Sequence, residues 1–139
     1  MILSNHLPAN ESVEWFILDF IDAFWLIPLH PAERPYFVAR YRGSYLIFKN
    51  TAQGSRNAPL SWASTIALVA RLTQSMFCPH TELRLEVYVD DPACAIRGTQ
   101  DQRDLYVTMV CVTWLALGLP LAFRKAKRSK GRWKPCNPF

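Results

Sequence analysis

The chain has few cysteines, and their spacing excludes two common classes of small protein. It has 4 cysteines among 139 residues and no Cys-x-x-Cys pair. A structural zinc site needs three or four ligands, and a disulfide scaffold needs paired cysteines at a higher density. Cys78-Pro79-His80 offers only two zinc ligands. We therefore expect neither zinc nor disulfide bonds, and we interpret the cysteines as ordinary residues: Cys78, Cys94, Cys111 and Cys136.

The sequence also lacks internal repeats, low-complexity tracts and a signal peptide. The missing signal peptide favours an intracellular protein, with cytoplasm and nucleus both open. Half of the residues are hydrophobic (50%), which is enough for one packed core. We expect an N-terminal loop at residues 1–12, one folded region at 13–128 and a divergent tail at 129–139.

Negative charge is in the minority. Lys and Arg number 16 against 11 Asp and Glu, which gives a formal net charge of +5 and a pI near 9.2. Basic side chains release counterions from phosphates when they bind a polyanion. The composition therefore favours a nucleic-acid partner.

One long stretch lacks charge altogether. Residues 105–123 are mostly apolar, and Arg124 and Lys125 follow them, which is one pattern of a transmembrane helix. However, Gly118-Leu119-Pro120 is typical of the end of a helix. A helix that covers a sheet explains the stretch more simply, so we expect no membrane partner.

Two adjacent acids end a short apolar run at Tyr88-Val89-Asp90-Asp91. Asp followed by Pro92 is also typical of a plain turn. A second apolar run, at residues 13–24, includes Asp19 and Asp22, and we expect its strand to lead into Phe24. If the two runs are neighbouring strands, Asp19 meets the Asp90-Asp91 pair, and cations would relieve the repulsion between the carboxylates.

Four motifs together resemble the palm of reverse transcriptases, particularly those of LTR-type retroelements. The resemblance extends over about residues 16–127. In chain order the motifs are Leu18-Asp19-Phe20-Ile21-Asp22-Ala23-Phe24, Gln53-Gly54-Ser55-Arg56-Asn57-Ala58-Pro59, Tyr88-Val89-Asp90-Asp91, and Leu117-Gly118-Leu119 leading to Lys125.

The resemblance implies a polymerase that uses two metal ions. Asp19 and Asp90 would be the principal ligands of two Mg²⁺ ions, with Asp91 assisting, and Mn²⁺ could substitute. Such ions stabilise charge as a deoxynucleotide is added to a primer 3′ end. Lys125 would lie near the leaving pyrophosphate and neutralise charge or supply a proton.

The resemblance also implies a nucleotide site. Asp22 and Ala23 would contribute backbone amides to the triphosphate, and Gln53 and Gly54 would lie beside the nucleotide. Phe24 would exclude a 2′-hydroxyl, although a plain core phenylalanine is the alternative. The residues we expect to contact an RNA or DNA template with its primer are Arg56, Arg124, Lys127 and Arg128, although Arg56 would equally suit a solvated loop.

The predicted fold is α+β, a palm with a split β-α-β (ferredoxin-like) layout. Tyr36 to Tyr41 and Tyr45 to Lys49 flank Arg42-Gly43-Ser44 and predict a β-hairpin on the fingers side. Helices are predicted from about Pro59 to Phe77, with Asn57 as N-cap, and from about Gln100 to Leu117.

Two features depart from the family pattern. Pro92 follows Asp91. It removes a backbone hydrogen-bond donor from the strand and restricts the backbone of Asp91 to extended geometry. The chain is also too short for the fingers, thumb and RNase H segments of a longer polyprotein. Two hypotheses follow: a catalytic palm segment of an RNA-directed DNA polymerase that is active only within a longer polyprotein, or an inactive retroelement remnant that at most binds nucleic acid.

Overall fold

The computed structural model describes residues 12–77 and 82–132. These residues fall in two compact units. One comprises Met1–Ile21 with Ala67–Phe139, and the other comprises Asp22–Ile66. The predicted loop at residues 1–12, apart from Ser12, lies outside the described residues, as do Cys78, His80, Cys136 and the tail from residue 133.

The first unit contains a four-stranded antiparallel sheet. Its strands are β1 (Ser12–Ile17), β4 (Leu83–Tyr88), β5 (Asp91–Ile96) and β6 (Lys127–Arg132), in the spatial order β4-β5-β1-β6. In β1, Phe16 is buried whereas Trp15 and Ile17 are exposed, because alternate side chains point to opposite faces of a strand. One face of the sheet therefore supplies the core.

Two helices pack on the sheet. Helix α1 runs over Ala58–Ser75 and begins directly after the predicted N-cap residue, Asn57, and helix α2 runs over Gln100–Ala116. A capping box between Thr99 and Gln102 starts α2. The indole of Trp114 donates a hydrogen bond of 2.8 Å to the Thr73 hydroxyl, which joins the two helices inside the core.

The predicted α+β class is confirmed. The elements β1, α1, β4, β5, α2 and β6 follow one another as strand, helix, two strands, helix and strand. With β1 at the centre of the sheet, this is the split β-α-β arrangement. Strand β6 stays paired to β1 as far as Arg132, across the boundary expected at residue 129.

The second unit contains the predicted β-hairpin. Strands β2 (Val38–Tyr41) and β3 (Ser44–Ile47) are antiparallel. The turn is formed by two residues, Arg42 and Gly43, which have φ values of 49° and 82°. Positive φ at both positions is what a type I′ turn requires, and it explains the glycine.

Two details differ from the sequence prediction. The first strand ends at Ile17 and does not continue to Phe24, because residues Ala23–Leu26 form a 3-10 turn that begins with Asp22 at a φ of 53°. Pro92 is fully buried within β5 and leaves the strand pairing intact. Within residues 12–77 and 82–132, no helix is long and apolar enough to cross a membrane.

Candidate active site

The chain beyond β1 positions Asp19. The backbone N–H of Leu18 donates a hydrogen bond of 3.1 Å to the carbonyl of Pro92, so the chain stays beside β5 after β1 has ended. Asp19 comes next, and its side chain is only 16% exposed. The buried proline that departs from the family pattern therefore holds the first predicted metal ligand in place.

A tight turn between β4 and β5 carries the other two acids. Tyr88 pairs with Asp91, so Val89 and Asp90 form the turn. Val89 has a φ of 56°, which is rare for a β-branched residue. Backbone strain of this kind costs about 1–3 kcal/mol and persists only where the surrounding structure holds it.

Backbone hydrogen bonds bring the fourth motif to Asp19. Gly118, with a φ of 78°, ends α2 and turns the chain back. The N–H of Ile21 then donates to Pro120 and the N–H of Ala122 donates to Asp19, both at 2.9 Å. This short ladder fixes the start of the Phe123–Lys125 turn beside the end of β1.

Lys125 faces all three predicted metal ligands. Its ammonium forms a hydrogen-bonded ion pair with the Asp19 carboxylate. That hydrogen bond raises the pKa of Lys125 above its ordinary value of 10.5, and the charges of Asp19, Asp90 and Asp91 raise it further. Residues from three separate motifs therefore converge within electrostatic reach of one cation.

Asp19, Asp91 and Lys125 border an open cavity of about 540 Å³, whereas Asp90 is not part of its lining. The lining also includes Lys127, which was predicted as a contact for nucleic acid. The sequence prediction missed its apolar wall, formed by Ile17, Leu18 and Ala93, and the ring of Tyr88. Ile17 could have been found, because residues two apart in an extended chain point to the same side.

The other basic residues differ in what they contact. Arg128 donates hydrogen bonds to Glu14 and to Asp104, the latter at 2.7 Å. The hydrogen bond from Arg128 lowers the pKa of Asp104. Glu14 is buried and also pairs with Arg103 at 3.5 Å. Arg124 and Lys127 are exposed.

The predicted nucleotide-binding residues lie in the second unit, where two segments meet. Ala23 is buried, Phe24 is half-buried and Asp22 is exposed. The hydroxyl of Thr51 donates to the carbonyl of Phe24, so the 3-10 turn lies against the segment that leads to Gln53.

The loop that follows is open to solvent. Gln53, Gly54 and Arg56 are exposed, and Gly54 has a φ of 83°, a conformation that few other residues adopt. Ser55 forms a backbone turn with Ala52 just before α1 begins. The side chains and backbone of this loop are therefore accessible to a ligand, and the Ser55–Ala52 hydrogen bond holds the loop next to α1.

The donor set at the convergence point consists of carboxylate oxygens, which Mg²⁺ and Mn²⁺ prefer. In the described part of the chain, no three histidine, cysteine or acidic side chains lie close enough together to form a ready metal cluster. The carboxylates of Asp19, Asp90 and Asp91 therefore match divalent cations in ligand type, but they are not gathered into one cluster.

Residues 4–134 match the protein family described as reverse transcriptase (RNA-dependent DNA polymerase). None of the curated proteins compared with the chain matches it. The family match covers all four motifs and every residue of the convergence point. Members of this family are nucleotidyltransferases that generally use divalent metal ions and act on a nucleic-acid template and deoxynucleotides. The chain belongs to the reverse transcriptase family.

Proposed function

We propose that the chain is the palm segment of an RNA-directed DNA polymerase from an LTR-type retroelement. It would add deoxynucleotides to the 3′ end of a primer paired to an RNA or DNA template. The observation that carries this proposal is the convergence of Asp19, Asp90 and Asp91 on Lys125, because it joins three motifs in one charged site.

Asp19, Asp90 and Asp91 would hold two divalent ions, Mg²⁺ or Mn²⁺. Such ions activate the attacking oxygen and stabilise the leaving oxygen of a phosphoryl transfer. Asp19 is partly buried and its backbone is held by hydrogen bonds, so its carboxylate would suit a ligand that both ions share. Asp90 and Asp91 follow Val89, whose positive φ shapes the turn that would present them to the ions.

Lys125 would act on the triphosphate. In the structure its ammonium neutralises Asp19, and its side chain is 69% exposed. With cations on the carboxylates, the ammonium would be available to the negative charge on the leaving pyrophosphate. Lys125 is protonated at neutral pH, so it would bring a positive charge and a proton, and the hydrogen bond to Asp19 that raises its pKa holds that proton more tightly.

The second unit would bind the nucleotide. Backbone amides at Asp22 and Ala23 would contact the triphosphate, while Gln53 and Gly54 would lie beside the base and sugar. Phe24 would reject ribonucleotides by its bulk. Arg56, Arg124 and Lys127 are exposed and suit contacts to the phosphates of template or primer, whereas Arg128 would have to exchange its carboxylate partners to do so.

A primer-extension assay tests the proposal, with the fingers, thumb and RNase H segments of the longer polyprotein supplied together with the chain. RNA and DNA templates with a labelled primer are incubated with deoxynucleotides and with Mg²⁺ or Mn²⁺. We expect extension by the wild-type chain and its loss in Asp90→Asn. Glu86→Gln is the matched control, because Glu86 is an exposed carboxylate on β4 that pairs with Arg84. Extension that is equal in Asp90→Asn and in wild type would overturn the assignment.

A binding measurement separates the metal site from turnover. Mn²⁺ binding, followed by electron paramagnetic resonance, is expected for the wild type and for Glu86→Gln, and is expected to weaken in Asp90→Asn. A chain that binds Mn²⁺ and template but extends no primer would support the alternative, an inactive remnant.

A further inference from the structure

Strand β4, which carries the catalytic turn, is at the edge of the sheet. It pairs with β5 on one side, and among residues 12–77 and 82–132 no strand lies on its other side. Because Tyr88 and Asp91 close the hairpin, hydrogen bonding to β5 alternates along β4. The peptide groups of Leu83, Leu85 and Val87 therefore face away from the sheet, where an edge strand is open to unwanted pairing.

The side chain of Gln74 occupies that edge. Its amide nitrogen donates a hydrogen bond of 2.9 Å to the carbonyl of Leu83. Its amide oxygen accepts a hydrogen bond of 2.8 Å from the N–H of Leu85. The side-chain amide of Gln74 thus makes the two hydrogen bonds with β4 that the backbone of a further strand would make.

The groove between α1 and β4 surrounds the contact between Gln74 and the strand. Gln74 is on the last turns of α1 and borders a groove of about 290 Å³ between that helix and β4. Ala67 and Ala70 line the helix side of the groove, and their small side chains let helix and strand approach closely. Leu83 and Leu85 are buried, so the peptide groups that Gln74 satisfies belong to the packed part of the strand.

The position of this contact matters because of the strained turn that follows. Val89, with its positive φ, comes four residues after Leu85 and directly before Asp90. A strained turn keeps its geometry only while its flanking strands are fixed. Pairing with β5 fixes one edge of β4. The two hydrogen bonds from Gln74 are placed to fix its other edge.

We propose that Gln74 is a positioning residue for the catalytic turn. Its side-chain amide takes the place of a missing edge strand and holds β4 so that Asp90 and Asp91 stay directed at Lys125. Its link to catalysis rests on the proposed function, but its hold on β4 does not. Loss of the amide would leave a donor and an acceptor of β4 without these partners and open the edge to other chains.

Amide hydrogen exchange followed by NMR tests the proposal on the full chain and needs no catalytic activity. Gln74→Met keeps the length of the side chain and removes both hydrogen bonds. We expect the protection factor of the Leu85 amide to fall at least ten-fold and that of Asp91, which pairs with Tyr88 at the turn, to fall with it. The amide of Val110, buried in α2, reports global stability and is expected to keep its protection.

Gln74→Glu supplies the rescue, because a carboxylate still accepts from the Leu85 N–H but no longer donates to Leu83. We expect the protection factor of Leu85 to stay within about three-fold of wild type in this variant. Ser75→Ala is the matched control on the same helix, since the Ser75 hydroxyl bonds only within α1, to Leu72. It is expected to change neither amide.

Unchanged protection of Leu85 in Gln74→Met would overturn the proposal, and so would an equal fall at Val110. If Gln74→Met does not fold, loss of Leu85 protection in Gln74→Glu would also overturn it. An inactive wild-type chain would contradict the proposed function and leave these exchange results valid. In an active chain, Gln74→Met is expected to lower kcat with little change in the KM for deoxynucleotide.

Discussion

The ammonium of Lys125 pairs with the carboxylate of Asp19, 106 positions earlier in the chain. Two strands, a helix and a glycine-ended turn are needed to bring them together. The pair shows that the first and fourth motifs share one site in this chain. It also makes the lysine a reporter of the charge that surrounds it.

Removing the Asp19 charge should lower the pKa of Lys125. In Asp19→Asn the ion pair is lost, so the pKa is expected to fall back towards 10.5, while Asp90→Asn is expected to give a smaller decrease. NMR titration of the lysine side chains measures both. Glu86→Gln is the control and should leave the titration of Lys125 unchanged, and equal effects of all three variants would contradict the convergence of the carboxylates.

Shortening Phe24 should relax the choice of sugar. Phe24→Ala removes the ring that is proposed to exclude a 2′-hydroxyl, so ribonucleotide incorporation relative to deoxynucleotide is expected to rise about ten-fold or more. Competitive primer extension measures the ratio. Tyr36→Ala, at an exposed aromatic residue of the same unit, is the control. An unchanged ratio in Phe24→Ala would assign the ring to packing alone.

Breaking the buried ion pairs of Glu14 should destabilise the fold. Glu14→Ala removes the carboxylate that pairs with the buried Arg103 and leaves Arg128 with Asp104, and removal of one member of a buried pair costs about 3–5 kcal/mol. Urea unfolding measures the free energy of unfolding. Lys130→Ala, at the exposed neighbour of Glu14 in β6, is expected to change it by less than about 0.5 kcal/mol. A comparable loss in both variants would contradict this role for Glu14.

The buried thiol of Cys94 should make stability fall in alkali. Burial, with a smaller effect of Cys111, raises the pKa of Cys94 from 9.0 to about 12. Between these values the unfolded chain has lost the proton and the folded chain has kept it, so stability decreases as pH rises, by at most about 1.4 kcal/mol per pH unit. Urea unfolding at pH 8 to 11 measures the slope. Cys94→Ala should show a shallower slope, and equal slopes would refute the assignment.

Much of the fold could be predicted because its signals are local. The hairpin turn at Arg42-Gly43, both helices and the strand before Tyr88 follow from turn residues and from the spacing of apolar residues. The order of the strands came from the resemblance to a family. The 3-10 turn after Asp22 was missed because an apolar run such as residues 13–24 does not mark where its strand ends.

The polar contacts between distant segments could not be predicted. Arg128 was predicted to bind nucleic acid, and that stays a prediction, yet its guanidinium contacts Glu14 and Asp104. Nothing near Arg128 in the sequence distinguishes it from the exposed Lys127. The role of Gln74 could not be predicted from the sequence either, because its partners are backbone groups of strand β4.

The central strand of the sheet imposes an order on folding during synthesis. Glu14 in β1 and its partner Arg128 in β6 are 114 positions apart, and β5 also lies far downstream. At about 5–20 residues per second, the ribosome needs roughly 10 s to synthesise the missing neighbours. Until then β1 has both hydrogen-bonding edges and its apolar side chains unpaired. The hairpin of β2 and β3, whose strands are adjacent in the chain, can instead close as soon as it emerges.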